Sequence, residues 1–364
     1  MGAQTNIDYL ERTLRLRVRD RHAGLLLKQA RWVNFVWNYV NELSATVLQR
    51  EGRFLSGYDL HEFTRGATKE GLPLHSQTVQ AVNEEHARRR RQAKRARLRW
   101  RVSNPGRANY SLGWVPFKKS AIVYRAGQVH FAGVPIGLWD SYGLSEYELR
   151  SGCFSEDARG RWYLNITVRK ERRARADSIG TMAVGIDLGL KVLAAMSSGQ
   201  KVEAEQFYRG LEGAVATAQR AGKKDRVRSL HAKIKNRRKD FLHKLSTGLV
   251  REHGAIFVGN VNASALAQTR RAKSVLDAGW SAFRTMLQYK CDDAGVWFEE
   301  VDEAFSTQTC SACGARCGPQ GIAGLGIREW ACEECAMVHD RDVNSARNHL
   351  AAGRRRLAEG IHAL

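Results

Sequence analysis

The sequence of 364 residues contains no uninterrupted apolar run of about 18 residues, so nothing in it reads as a membrane-spanning helix. Its opening, MGAQTNIDYLERTLRLRVRD, lacks the apolar core of a secretory signal. Behind Met1 and Gly2 it carries Asn6 where a myristoylation signal wants Ser or Thr. Acidic residues are scarce, 37 against 59 Lys and Arg, leaving a formal net charge of +22. That imbalance points to a long polyanion, and nucleic acid fits better than the rival, a membrane surface. Cysteines number seven, four of them in a metal pattern, which suits a reducing cytosol. An apolar content of 43% argues against general disorder, and the length allows two or three domains.

The most informative stretch is Phe305 to Leu350, FSTQTCSACGARCGPQGIAGLGIREWACEECAMVHDRDVNSARNHL. It holds two CxxC pairs, Cys310/Cys313 and Cys332/Cys335, separated by the 18 residues 314 to 331. Each pair is a knuckle that can set two thiolates about 2.3 Å from one tetrahedral Zn²⁺. Gly314, Gly318, Gly321, Gly324 and Gly326 suit the turns of a zinc ribbon. Four thiolates close the site, so the expected zinc is structural, and Asp342 is what it would hold in place.

Along the chain, RTLRLRV (12–18) alternates as a strand with one wet face, and residues from Leu25 onward form a helix of about 25 residues. A shorter helix follows Gly57. A third runs from Ser76 to Arg101 and carries Arg88, Arg89, Arg90, Arg91, Lys94, Arg95, Arg97, Arg99 and Arg101. Nine cations in 14 residues with almost no acidic partner call for a phosphate backbone. Asn104-Pro105-Gly106 breaks that helix, and from Tyr110 to Arg169 short alternating strands with turns at Ala126-Gly127 and Arg159-Gly160 build a small β-barrel. A polar linker, Glu171 to Ser178, ends it.

Beyond the linker an apolar strand within MAVGIDLGLKVLAAMSSGQ delivers Asp187. An Asp there is costly unless paired or bound to a cation, the alternative being a turn cap. Residues 203–250 read as helical and basic, with Lys235, Arg237, Arg238, Lys239 and Lys244 on a second phosphate-facing surface. A buried strand at 255–258, a helix from Trp280 to Lys290 and a strand at 296–301 lead into the cysteines.

This order, together with GIDLG, STQTCSACG, IREWACEEC and HDRDVNSARN, resembles the RuvC/RNase H-like nuclease of the TnpB family, transposon-encoded relatives of type V CRISPR effectors. The N-terminal half is similar in layout only. The resemblance implies an α/β multidomain fold. Its first barrel strand would span 1–20, a helical recognition lobe 21–104, and the rest of a wedge-like barrel 105–178. The nuclease domain would span 179–364, with a helical insertion at about 203–250 and the zinc ribbon at about 305–340. It also implies a guide RNA from the transposon end, a target-adjacent motif on duplex DNA, cutting of both strands, a monomer with its RNA, and the nucleoid-bearing prokaryotic cytoplasm. Phosphodiester hydrolysis needs an activated water and a stabilised leaving oxygen, which two Mg²⁺ ions about 4 Å apart supply when carboxylates hold them. Asp187 is the natural bridging ligand. Asp342, capping a helix start, matches the family motif better than its neighbour Asp340, and His339 is expected to pack or hydrogen-bond.

One position departs from the family. Where the strand reading IFVGN usually ends in Glu, this chain has Gly259. Either the site is disabled and the protein is a guided DNA-binding repressor, or a carboxylate of FEEVDEAFST takes over. Glu299, Glu300, Asp302 and Glu303 stand there, Glu300 and Glu303 being the candidates, with a merely solvated strand edge as the bland alternative. Two further classes compete: a zinc-ribbon DNA-binding protein without guide, and a sequence-independent RNase H-like nuclease or resolvase.

Overall fold

The computed structural model describes residues 9–171, 182–261, 278–320 and 323–359. The chain forms two compact units, Met1–Glu171 and Arg172–Leu364. Apart from Glu171, the linker read at 171–178 lies outside the described residues, as does Gly321.

In the first unit β1 (Tyr9–Val18) turns Leu14, Leu16 and Val18 inward and Arg15 outward, the period-two pattern of a half-wet strand. Next come α1 (Ala23–Glu51), α2 (Gly57–Thr64) and α3 (Ser76–Ala93). They are followed by β2 (Trp114–Phe117), β3 (Ile122–Arg125), β4 (Gln128–Phe131), β5 (Val134–Ile136), β6 (Leu138–Trp139), β7 (Glu148–Glu156) and β8 (Trp162–Glu171). The main sheet has the order β2-β7-β8-β1-β6, and β3-β4-β5 is a separate meander. The barrel read from the alternation is therefore two sheets over one core rather than one closed ladder. Pro135 has no N–H to donate, and three-residue β5 ends the meander. The rings of Phe117, Phe131 and Phe154 join the two sheets, with centroids 5.1 to 5.6 Å apart.

The third helix is shorter than its charge pattern suggests. It stops at Ala93, where Lys94 turns to φ 49°. The chain beyond it is clasped by asparagines of α1. Asn41 exchanges two hydrogen bonds with the Leu98 backbone, both 2.9 Å, and Asn38 does the same with Arg101 at 2.8 and 2.9 Å. Side-chain amides spaced along one helix face thus do the work of a neighbouring strand and give residues 98–101 a partner that a longer helix would forgo.

The second unit begins with β9 (Ala183–Leu188), β10 (Val192–Met196) and β11 (Lys201–Glu203). It continues through α4 (Glu212–Arg220), α5 (Lys224–Glu252), β12 (Ala255–Gly259), α6 (Trp280–Ala294) and β13 (Trp297–Val301). It closes with the hairpin β14 (Glu329–Ala331) and β15 (Val338–Asp340), then α7 (Arg341–Ala358). The sheet runs β11-β10-β9-β12-β13, antiparallel on the β9–β11 side and parallel across β9, β12 and β13. Helix α7 lies directly on this sheet. A Cβ on Gly185 would sit 2.0 Å from the Ala346 carbonyl oxygen, so the glycine of GIDLG is a contact requirement.

Candidate active site and metal centre

Asp187 stands near the end of β9, between the inward residues Ile186 and Leu188, and its carboxylate faces α7. Ser345 Oγ lies 2.8 Å from Asp187 Oδ1 and 2.8 Å from Ser306 Oγ, so it donates to the carboxylate while accepting from Ser306. Burial pushes the Asp187 carboxyl up to about 7, against the Ser345 hydrogen bond, with Asp342 and Glu303 adding like charge and Arg341 opposing them. Keeping Asp187 ionised at neutral pH thus costs about 4 kcal/mol.

Glu303 and Asp342 line the same open cleft as Asp187, about 630 Å³ in volume, together with Arg328, Arg341 and Trp280. The Glu303 N–H donates to Asn260 Oδ1 at 3.2 Å, which fixes the turn after β13 beside the end of β12. Burial raises the Glu303 carboxyl as well, with Arg284 opposing and Asp302 adding to the rise. Asp342 occupies the first turn of α7, 3.3 Å from Arg328 Nη1.

The two candidate glutamates part ways: Glu303 lies in the turn after β13 and lines the cleft, while Glu300 takes its side from the strand. Gly259 pairs with Val301 and Val258 with Glu300 in the parallel register. Glu299 meets Arg356 of α7 at 2.9 Å, whereas Glu300 meets Arg284 of α6 at 2.8 Å. Glu300 therefore points to the sheet face opposite Asp187, and the reading that gave it a place in the site is corrected. The cap is corrected too. Asp340, not Asp342, accepts from Val343 N–H at 3.0 Å and also binds Lys201, which leaves Asp342 free to face the cleft.

Gly259 has no room for a side chain. A Cβ there would lie 2.6 Å from Cε1 of His349, whose Nδ1–H donates to the Ile186 carbonyl at 3.0 Å. The imidazole fills the space that a glutamate stem would need.

The four cysteines converge. Cys310, Cys313, Cys332 and Cys335 have sulfurs all within 4.8 Å of one another, with Cys310–Cys335 at 3.7 Å and Cys313–Cys332 at 3.6 Å. Tetrahedral Zn–S bonds of about 2.3 Å imply sulfur–sulfur edges of about 3.8 Å. All four are free thiols, so the donor set fits zinc. The two knuckles repeat one geometry: Gly314 N–H donates to Cys310 O and Ala336 N–H to Cys332 O, both at 2.9 Å. Backbone N–H groups, that of Cys335 foremost, bring the Cys332 thiol down to about 6. His339 packs as read, its Nε2 3.0 Å from Cys310 Sγ and its ring against Trp330.

The sequence reading missed Ser345, Asn344, Asn348 and His349. Asn344 accepts from Ser311 N–H at 2.8 Å and donates to Thr309 O, and Asn348 donates to Ser306 O and Thr309 O. They fasten the first knuckle to the helix that carries Asp342. Their helical spacing after Asp342 was the available signal.

The basic residues divide. Arg90 is buried and donates to Leu55 O, and Arg101 donates to Asn34 Oδ1 while lying over Trp37 and Trp114, so both are structural. Arg88 and Arg89 pair with Glu85, and Arg97 with Glu42, which corrects the reading of a run without acidic partners. Arg91, Lys94, Arg95 and Arg99 are exposed with no ion pair among the described residues. On α5, Lys235 and Arg237 are exposed, Lys244 pairs with Asp240, and Arg238 and Lys239 are engaged by neighbours.

Comparison with known proteins bears on this site. Residues 280–349 match the family described as Cas12f1-like, TNB domain, and residues 165–270 the one described as probable transposase, OrfB_IS605. The chain is similar to a putative RNA-guided DNA endonuclease of Streptomyces pristinaespiralis, 36% identical over 254 residues, 65% of this chain and 62% of that protein. It is also similar to a TnpB-like protein, L79, of Acanthamoeba polyphaga mimivirus, 29% identical over 135 residues, 35% of this chain and 25% of that one. These matches support a TnpB-family assignment, over less than two thirds of the length of either curated relative. A Cas12f1 chain solved by cryo-EM with sgRNA and target DNA superposes with a TM-score of 0.55 at 11% identity, covering 93% of this chain and 98% of the other. That likeness supports the mixed α/β fold alone. No helix among the described residues is long and apolar enough to cross a membrane.

Proposed function

We propose that this protein is an RNA-guided DNA endonuclease of a transposable element, with a RuvC-like site built from Asp187, Glu303 and Asp342. The observation that carries it is the gathering of these three carboxylates in one cleft, where Asp342 and Glu303 both add like charge at Asp187. Hard oxygen donors gathered where burial, with added like charge from Asp342 and Glu303, raises the Asp187 carboxyl to about 7 suit a divalent cation, Mg²⁺ in a phosphodiester site. When bound, the ions supply a nucleophilic water and charge neutralisation at the phosphate. Ser345 holds the Asp187 carboxylate in one rotamer, Arg328 and Arg341 line the cleft where a phosphate oxygen would lie, and Trp280 closes a wall by donating to Gly189 O at 3.2 Å.

In this reading the 3-2-1-4-5 strand order of the second unit is the RNase H-like nuclease sheet, with Gly259 at the empty family position and Glu303 in its stead. One structural zinc sits on the four thiols. The first unit supplies the wedge-like barrel and helical recognition lobe. Arg91, Lys94, Arg95, Arg99, Lys235 and Arg237 are the cations open to guide RNA and duplex DNA. The experiment is to sequence the RNA that copurifies with the protein, then assay Mg²⁺-dependent cleavage of a matching duplex. A discrete guide and cleavage lost in Asp187→Ala and Glu303→Gln, but kept in Glu300→Gln, supports the reading. Guided binding without cleavage by wild type favours the repressor alternative, and no RNA overturns guidance.

A further inference from the structure

Five thiols, not four, meet at the metal centre. Cys317 Sγ lies 3.3 Å from Cys332 Sγ, closer than the 3.6 and 3.7 Å edges of the four-thiol set. It is not among the sulfurs that all lie within 4.8 Å of one another, so it stands outside the tetrahedron against one vertex. The chain on both sides of it is pinned to the segment entering Cys310. Arg316 forms an antiparallel bridge with Thr309, and Gly318 N–H donates to Gln308 O at 2.8 Å. Accessibility differs across the pair: Cys332 is 2% exposed, while Cys317 is only half-buried. Tetrahedral zinc takes four thiolates, which leaves Cys317 a free thiol against a ligand.

We propose that Cys317 is a peroxide-reactive modification site that resolves onto the zinc ligand Cys332, forming a disulfide and releasing the metal. The proposal rests on the zinc reading above. The Cys317 thiol gives up its proton and its sulfur attacks one peroxide oxygen, the O–O bond breaks, and hydroxide leaves, giving a sulfenic acid. The neighbouring Cys332 sulfur attacks the sulfenyl sulfur, so an S–S bond forms, the S–O bond breaks and the second oxygen leaves as hydroxide. Protonation gives two waters; the two sulfurs lose two electrons, the peroxide gains them, and zinc stays divalent. Three thiolates then remain, and the closed site opens. The first knuckle is the part that Asn344 and Asn348 fasten to α7, so release loosens the support of Asp342.

The test treats full-length, zinc-loaded protein with hydrogen peroxide, follows zinc with a chromophoric chelator, and maps disulfides by mass spectrometry. A Cys317–Cys332 linked peptide is expected to appear in step with released zinc. Cys317→Ala is expected to slow release ~fivefold or more, with zinc content and thermal midpoint of the untreated protein unchanged. Equal release rates in wild type and Cys317→Ala overturn the proposal, as does a map in which zinc is lost while Cys317 stays unpaired. Metal content of the untreated wild type reads the zinc assignment separately. If zinc is absent that assignment falls, and the peptide map still decides whether Cys317 and Cys332 pair.

Discussion

The four-thiol centre and the three-carboxylate cleft share one stretch of chain, Glu303 to Asp342, with Asp187 joining the cleft from β9, and they are completed in opposite ways. The sulfurs already face one another, two are buried, and backbone N–H groups stabilise at least Cys332 as a thiolate. The carboxylates face an open cleft, and Asp187 is held against its preferred ionised state. A closed, satisfied donor set can only hold the chain. An open, frustrated one has both room for a substrate and a reason to bind cations. The difference separates scaffold from chemistry within the same stretch.

Removing a carboxylate breaks the comparison most sharply. Asp187→Ala or Glu303→Gln is expected to lower cleavage more than ~100-fold, beyond the ~10–100-fold that altering a group behind a metal ligand costs. Melting curves should remain cooperative in both variants.

The second effect is on stability against pH without divalent metal. Asp187 binds its proton more tightly folded than unfolded, so its contribution is present below pH 3.8 and is lost as pH rises through about 7. Denaturant unfolding without added Mg²⁺ should show stability falling across that window by up to about 4 kcal/mol from this group. Asp187→Asn should flatten the dependence, and Mg²⁺ should offset it at neutral pH. A wild-type slope equal to that of Asp187→Asn contradicts the frustrated-carboxylate account.

Ser345→Ala comes third. It removes the hydroxyl that favours the charged form of Asp187, and the expected loss is ~10–100-fold in Mg²⁺ affinity, read as a shifted metal optimum for cleavage. Glu300→Gln comes last: its ion pair with Arg284 is on the far sheet face and exposed, so cleavage should stay within about threefold and stability within ~1 kcal/mol.

Much of the second unit was legible because its signals are local. A CxxC knuckle needs only its own few residues, and the apolar run around Asp187 declares a strand whatever it packs against. What failed depended on register or on distant partners. Glu300 and Glu303 look equivalent until pairing with β12 gives Glu300 its face and the turn held by Asn260 sets Glu303 in the cleft. Asp340 and Asp342 compete for one cap until the hydrogen bond from Val343 decides. The end of α3 was set by Asn38 and Asn41, more than fifty residues upstream, which no window around residue 94 contains. The Glu85 pairs were legible: the acid lies three and four residues before Arg88 and Arg89 on one helix, and the charge count passed over that spacing. Gly259 was noticed as an absence, but His349, the residue that enforces it, comes from α7 across the sheet.

The most direct measurement is Mn²⁺ binding, as a probe for Mg²⁺, to wild type, Glu303→Gln and Glu300→Gln, each shown to be folded by its melting curve. The account predicts that Glu303→Gln loses the carboxylate site while Glu300→Gln keeps it at wild-type affinity. Wild-type binding by Glu303→Gln, or loss of the site in Glu300→Gln, would contradict it.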